Sequence, residues 1–243
     1  MPNLTIGDTV IPYSVRVSSQ ATRKRIVVTP GGVELVVPAG TSLDGRDGAA
    51  AYVHAKRRWV FDAVREIDHK YRALLAQQYA SGAKLQYRGR GLMLDVQTAD
   101  VEAVAIHCRS KFEVVVPASL AGAERLEAVR VAFDAWLRGR ALDEVERCGR
   151  VHQEQLGVQA TGFRLSEAKR RWGSCGTDGV IRVHWRLIQA PSAALEYVVA
   201  HEVTHLRQRN HGPAFWRALG RTLPDWAARK AMLERWEQAH RAV

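Results

Sequence analysis

The chain has 243 residues, 47% hydrophobic and 25% charged, with 36 Lys+Arg against 25 Asp+Glu and a net charge of +11. That length is ample for one large domain or two small ones, and the composition excludes a disordered chain. Apolar runs stay short of the ~20 residues of a membrane helix, the start lacks the basic-then-apolar pattern of a secretory leader, and Cys108, Cys148 and Cys175 show no CxxC spacing. A cytoplasmic protein with no membrane partner and no disulfide framework is therefore expected. The positive charge suits nucleic acid or a nucleotide as partner. A bland origin competes. The chain holds 29 Arg and 7 Lys, a bias that genome composition alone can produce, and the excess is spread, +5 over residues 1–121 and +6 over 122–243. One local cluster stands out: Arg164, Lys169, Arg170, Arg171, Arg182 and Arg186.

Residues 4–38 alternate apolar and polar side chains around a Gly31-Gly32 turn, which predicts three or four short strands in hairpins. From Asp47 to about Gln78, Val53, Trp59, Val60, Ala63, Ile67, Tyr71 and Leu74 recur at three- and four-residue steps, the pattern of one long amphipathic helix. Strand-like runs return at Lys84–Tyr87, Leu92–Val96, Ala103–His107 and Phe112–Val116, with a turn at Arg88-Gly89-Arg90-Gly91. A second long helix is predicted from about Ala123 to Gln155, weakened at Gly139 and Gly149, which mark candidate bends. Strands are then expected at Phe163–Leu165, Arg171–Cys175 and Val180–Leu187, around a Gly176–Gly179 turn, before a third helix opens at Pro191. The order suggests a repeated unit, without sequence self-similarity to support one. The division expected is a β-rich region with one long helix over 1–120 and a core over 121–243, with one continuous domain as the alternative.

The third helix, Ala193–Leu206, is apolar on most faces yet contains His201, Glu202 and His205. Histidines four apart share one helical face and can chelate one metal ion through neutral ring nitrogens. Glu202, a step round, suits a water at that ion rather than the ion itself, which is the HExxH arrangement. Burying two His and a Glu in an apolar helix is costly unless they are satisfied, and a metal site would satisfy them. A pair of hydrogen-bonded core histidines is the alternative. His211 is the candidate third ligand. On a continuous helix it would lie ~15 Å along the axis from His201, so the helix must end near Arg207–Arg209. Asn210 and Gly212 are expected to supply left-handed backbone there, with Pro213 blocking continuation. Three histidines leave a position for water, the catalytic rather than structural pattern of zinc, one ion per chain.

These residues, with Arg171-Trp172-Gly173-Ser174-Cys175, Trp185–Ile188, Asn210–Trp216 and Leu223-Pro224-Asp225, resemble the bacterial YgjP-like family, which is related to SprT-like zinc metallopeptidases. The likeness is dense over about Lys169–Trp226. It implies zinc on His201, His205 and His211, Glu202 as catalytic base, and an α+β fold: a zincin-like core with a small sheet on the HExxH helix, preceded by a β-rich region with long helices. His184 departs from the family, which commonly has Asn there. That makes His184 a candidate for contact with substrate or metal, beside its plainer reading as a strand residue.

An edge strand beside such a helix can hold extended substrate by backbone pairing, so Gly173 and Ser174 join Arg171 and His184 as candidate substrate residues. Trp172 and Trp185 are expected to pack, and Cys175 to be a buried small residue rather than a nucleophile. The oxyanion-stabilising group is not fixed by the sequence; Tyr197, His184 and Arg171 are candidates by position. The leading expectation is a zinc hydrolase acting on peptide bonds. The resemblance also implies a nucleoside triphosphate (UTP) pyrophosphatase as the alternative, to which the arginine cluster would lend charge. A nucleic-acid-associated module with a structural metal is a third reading, disfavoured by the intact Glu202.

Overall fold

The structure is a computed structural model that describes residues 1–43, 45, 48–168 and 170–240. Asp47, the expected helix start, and Lys169 of the basic cluster lie outside the described residues. The described fold is mixed α+β, with eleven strands, six α-helices and one 3₁₀ turn. It divides into two compact units, Met1–Gln77 and Gln78–Val243. The division comes well before residue 120, because the second group of strands packs with the helix that follows it. Among the described residues no helix is long and apolar enough to cross a membrane.

The first unit contains β1 (Asn3–Ile6), β2 (Thr9–Ser18), β3 (Arg25–Thr29) and β4 (Gly32–Pro38), in sheet order β1-β2-β4-β3. Alternation turns Leu4, Tyr13, Val33, Leu35 and Val37 inward, where they meet Val53 and Val60. The expected single helix is two: α1 (Ala49–Ala55) and α2 (Arg57–Gln78), parted at Lys56, whose ψ of 11 leaves the helical range. Not every strand pairs as a hairpin, since β2 and β4 run parallel with Tyr13 opposite Val33 and Ser18 opposite Pro38.

The second unit opens with the same design. Strands β5 (Lys84–Tyr87), β6 (Arg90–Ala99), β7 (Ala105–Cys108) and β8 (Phe112–Pro117) take the order β5-β6-β8-β7 and lead into α3 (Gly122–Leu156). The registers correspond. Leu4 opposes Ile11 as Leu85 opposes Leu92, and Tyr13 opposes Val33 as Leu94 opposes Phe112. Matching positions are buried in both sheets, Leu35 with Val114 and Val37 with Val116. The sequence retains a trace of the repeat in Val33-Glu34-Leu35-Val36-Val37-Pro38-Ala39 and Phe112-Glu113-Val114-Val115-Val116-Pro117-Ala118. A four-stranded sheet followed by a long helix thus occurs twice, and the sequence does carry self-similarity in support of a repeated unit.

Helix α3 runs unbroken through both Gly139 and Gly149. Gly149 is required by packing: a Cβ there would lie 2.2 Å from the Phe163 ring, while one at Gly139 would meet nothing within 4 Å. The two glycines should therefore respond to alanine with opposite signs. Gly139→Ala is expected to raise stability by about 0.5–1 kcal/mol through helix propensity. Gly149→Ala is expected to lower it by about 1–3 kcal/mol through overpacking. Urea denaturation of both variants checks this, and equal shifts would refute it.

Beyond α3 a three-stranded sheet, order β10-β11-β9, is built from β9 (Gly162–Ser166), β10 (Gly173–Cys175) and β11 (Val180–His184). The two expected longer strands are shorter: β10 begins only at Gly173, and the run to Leu187 leaves the sheet after His184 as a 3₁₀ turn, Trp185–Gln189. Helices α4 (Ser192–Thr204), α5 (Pro213–Thr222) and α6 (Trp226–His240) complete the chain. Leu195, Val199, Ala200 and Val203 of α4 are buried, as its all-round apolar sequence requires. The hairpin turn of β5–β6 holds the entry to α4. Arg88 N–H and Gly89 N–H donate to the carbonyls of Ile188 and Gln189 at 2.9 and 3.0 Å, and a Cβ on Gly89 would come within 2.9 Å of Pro191 Cα. On its other side, Glu196 of α4 pairs with Arg229 of α6 at 2.6 Å.

Candidate metal centre

His201 and Glu202 lie in the last turn-and-a-half of α4, and His205 is its C-cap. The chain then turns through Leu206 and Arg207, whose N–H groups donate to Val203 and Thr204 carbonyls at 3.1 and 3.0 Å. The helix ends at Thr204, before the expected Arg207–Arg209, and the reversal uses no left-handed residue. Gly212 is extended, φ −73 and ψ 179, and Asn210 is not among the positive-φ residues. Pro213 takes the first turn of α5, where its missing N–H costs nothing.

This turn returns His211 to the helix end. One ring nitrogen from each of His201, His205 and His211 falls within 4.8 Å of the others, and Nε2 of His201 and Nε2 of His211 are 2.9 Å apart. Phe215, fully buried, lies beneath all three rings at centroid distances of 4.8, 4.7 and 4.7 Å. Nδ1 of His205 lies 3.0 Å from the Gln208 carbonyl, which fixes its proton there and leaves Nε2 as an acceptor. The Trp216 indole N–H donates to the His211 carbonyl at 2.9 Å and holds the return loop. Burial, with the neighbouring imidazoles, pushes His201 down to about 4, so its ring is neutral.

The Glu202 carboxyl is buried beside β10. Gly173 makes this possible: a Cβ there would stand 2.6 Å from Glu202 Oε1 and 2.7 Å from its Cγ. Burial pushes Glu202 up to about 7, opposed by the Arg171 charge and by the Cys175 backbone N–H, which donates to it. Three converging imidazoles with a carboxyl one step round the helix suit a borderline-soft divalent ion with nitrogen ligands. At Zn–N distances of about 2.0–2.1 Å a tetrahedral ion needs nitrogens roughly 3.3 Å apart, a spacing these rings bracket.

The family model of the YgjP-like metallopeptidase domain matches residues 22–236. The chain belongs to the YgjP-like family. A search of the curated proteins finds no match. Among solved structures, the crystal structure of the metallopeptidase zymogen of Pyrococcus abyssi abylysin is similar at 20% identity and a TM-score of 0.36, over 40% of this chain and 95% of that one.

The other candidate residues of this YgjP-like chain do not all gather at the imidazoles. Gly173 backs Glu202. Ser174 lies in mid-β10, half-buried and opposite Arg182. His184 is not part of the metal-competent group among the described residues. Its Nδ1 accepts the Arg186 N–H at 3.2 Å, and its ring stands edge-on to Trp172 at 5.4 Å. Arg171 and His184 instead share a neighbouring cavity with Trp172. Tyr197 is buried with its ring edge-on to His201 at 5.8 Å, and burial pushes its hydroxyl up to about 12. Cys175 is half-buried and its thiol is pushed up by burial, an inert environment. The parts that sequence reasoning missed are Phe215 under the triad, the Gln208 carbonyl and the Cys175 N–H. Phe215 stood in the quoted motif without a role, and the two backbone groups leave no residue-type signal.

Proposed function

We propose that this chain is a zinc-dependent peptidase with a zincin-like core, in which His201, His205 and His211 hold one ion and Glu202 is the general base. The observation that carries the reading is the convergence of three imidazole nitrogens beside a buried carboxyl. When bound, zinc supplies a Lewis acid that acidifies water and polarises a carbonyl. The side chains do the rest. Glu202, steadied by the Cys175 N–H, takes the proton of the attacking water and delivers it to the leaving amine. The free edge of β10 lies on the Glu202 side of α4 and offers backbone groups to an extended peptide.

The nucleotide reading draws less support. Arg182 is already paired with Asp178 at 2.7 Å, and Arg186 lies over the Trp185 ring at 5.2 Å, so these two guanidinium groups are engaged within the protein.

Purified protein is expected to contain one zinc per chain by elemental analysis. His201→Ala with His205→Ala should lose it, and a chelator should stop cleavage of an unfolded protein until zinc is returned. Metal content unchanged in the double variant would defeat the ligand assignment. Zinc-loaded protein that cleaves nucleoside triphosphates but no polypeptide would defeat the peptidase assignment.

A further inference from the structure

Beside Glu202, wholly within the second unit, is a cavity of 440 Å³ lined by Arg170, Arg171, Trp172, His184, Trp236 and Glu237. One peptide unit connects it to the site: Trp172 lines the cavity, and the next residue, Gly173, abuts the Glu202 carboxyl. The wall is apolar, since the Trp172 and Trp236 rings meet at 5.5 Å, tilted by 59°. Its one carboxylate is engaged, because the Trp172 indole N–H donates to Glu237. Its two guanidinium groups are not. Arg170 and Arg171 are exposed and make no ion pair among the described residues, whereas Arg138, Arg182 and Arg229 are paired with Glu167, Asp178 and Glu196. His184 adds a donor. With Nδ1 accepting the Arg186 N–H, the neutral ring has its proton on Nε2.

We propose that this cavity is a side-chain subsite for a substrate residue that carries a carboxylate, held by Arg171 with Arg170 and seated against the two indoles. The inference rests on the hydrolase reading of Glu202, since it gives the cavity a neighbouring scissile bond. Among the described lining residues, two guanidinium groups without an ion pair stand against one carboxylate, an excess of positive charge that favours an anion. Guanidinium pairs with carboxylate through two parallel hydrogen bonds, which fixes the orientation of the bound residue. The methylenes of a Glu side chain would lie on the Trp172 and Trp236 faces, an apolar stem with a charged end matching an apolar wall with a cationic rim. A free C-terminal carboxylate has the same chemistry, and the test separates the two sources.

The test uses zinc-loaded full-length protein and fluorogenic octapeptides that place Glu or Gln at each position flanking the cleaved bond, each made with a free-acid and an amidated C-terminus. At one position the Glu peptide is expected to exceed its Gln twin in kcat/KM by about 10- to 100-fold. Arg171→Gln should reduce that ratio to near one. Arg164→Gln, which removes a cation of the same cluster that does not line the cavity, should leave the ratio intact. If the free acid is preferred over the amide, irrespective of internal Glu, the carboxylate is the C-terminal one and the subsite stands. The second measurement is binding. Glu202→Gln protein should bind the better peptide of each pair more tightly by a comparable factor, and Glu202→Gln with Arg171→Gln should not. Equal treatment of charged and neutral peptides, or a ratio that survives Arg171→Gln and Arg170→Gln together, overturns the subsite. If no peptide is cleaved the peptidase reading fails, and the binding series alone decides the cavity: carboxylate preference lost with Arg171 upholds it, and no preference overturns it.

Discussion

Glu202→Gln is expected to lower kcat/KM on a cleaved peptide by about 10²–10⁴-fold, the usual contribution of a positioned general base, with one zinc per chain retained. The argument is geometric. The metal-competent nitrogens come from three histidines, and the Glu202 carboxyl lies on the neighbouring side of α4 against Gly173. Gln keeps the shape and can still accept the Cys175 N–H, so the helix end should not shift. What is lost is the capacity to take a proton. Elemental analysis beside steady-state kinetics checks both parts. Turnover within a few-fold of wild type would remove Glu202 from the chemistry, and zinc lost with the substitution would make it part of the binding set.

Gly173→Ala is expected to have a comparable effect on rate for a different reason. The added methyl would lie 2.6 Å from Glu202 Oε1 and 2.9 Å from Val198 Cγ1, so either the carboxyl or the β10 edge must move. Displacing a catalytic group by about 1 Å can cost on the order of 100-fold in rate. None of the three imidazoles is among the nearest neighbours of a Cβ at Gly173, so zinc content should persist. The informative comparison is with Ser174→Ala, one residue along the same strand, which removes no contact with Glu202. Gly173→Ala with kcat/KM within a few-fold of wild type would show that the site has slack at this position.

The chemistry-bearing part of the chain was the most legible. His201, Glu202 and His205 are spaced by the helix itself, and two histidines with a carboxyl between them in so apolar a segment announce an unusual burial. The need for a chain reversal before His211 followed from helix rise, but its means did not: the turn closes on Val203 and Thr204 carbonyls rather than on a left-handed Gly212. The predicted bends in α3 failed because a glycine read alone signals flexibility, while Gly149 answers to Phe163, fourteen residues away on β9. The sequence marks Gly173 as a point of close approach on an edge strand, but not that the Glu202 carboxyl is what lies against it. The cavity was beyond reach of the sequence, since Trp236 and Glu237 are more than sixty residues from Trp172 and no spacing rule joins them. The repeat escaped because hydrophobic strands of one architecture share pattern more than identity, and only the stretches from Val33 and Phe112 remain recognisably alike.

That repeat places unequal demands on two turns of common design. In the second unit the turn at Arg88–Gly89 is a docking element: both N–H groups are committed to the segment before α4, and Gly89, at φ +75, leaves no room for a side chain above Pro191. The matching turn in the first unit begins at Gly7, where a Cβ would meet nothing within 4 Å, so only the backbone twist restricts the choice of residue. One copy is thus bound to the geometry of the histidine helix, and the other answers only to its own hairpin. Drift in sequence, insertions and redesign would meet resistance at the Arg88–Gly89 tip and latitude at the Gly7–Asp8 tip, although the two sheets share strand order and register.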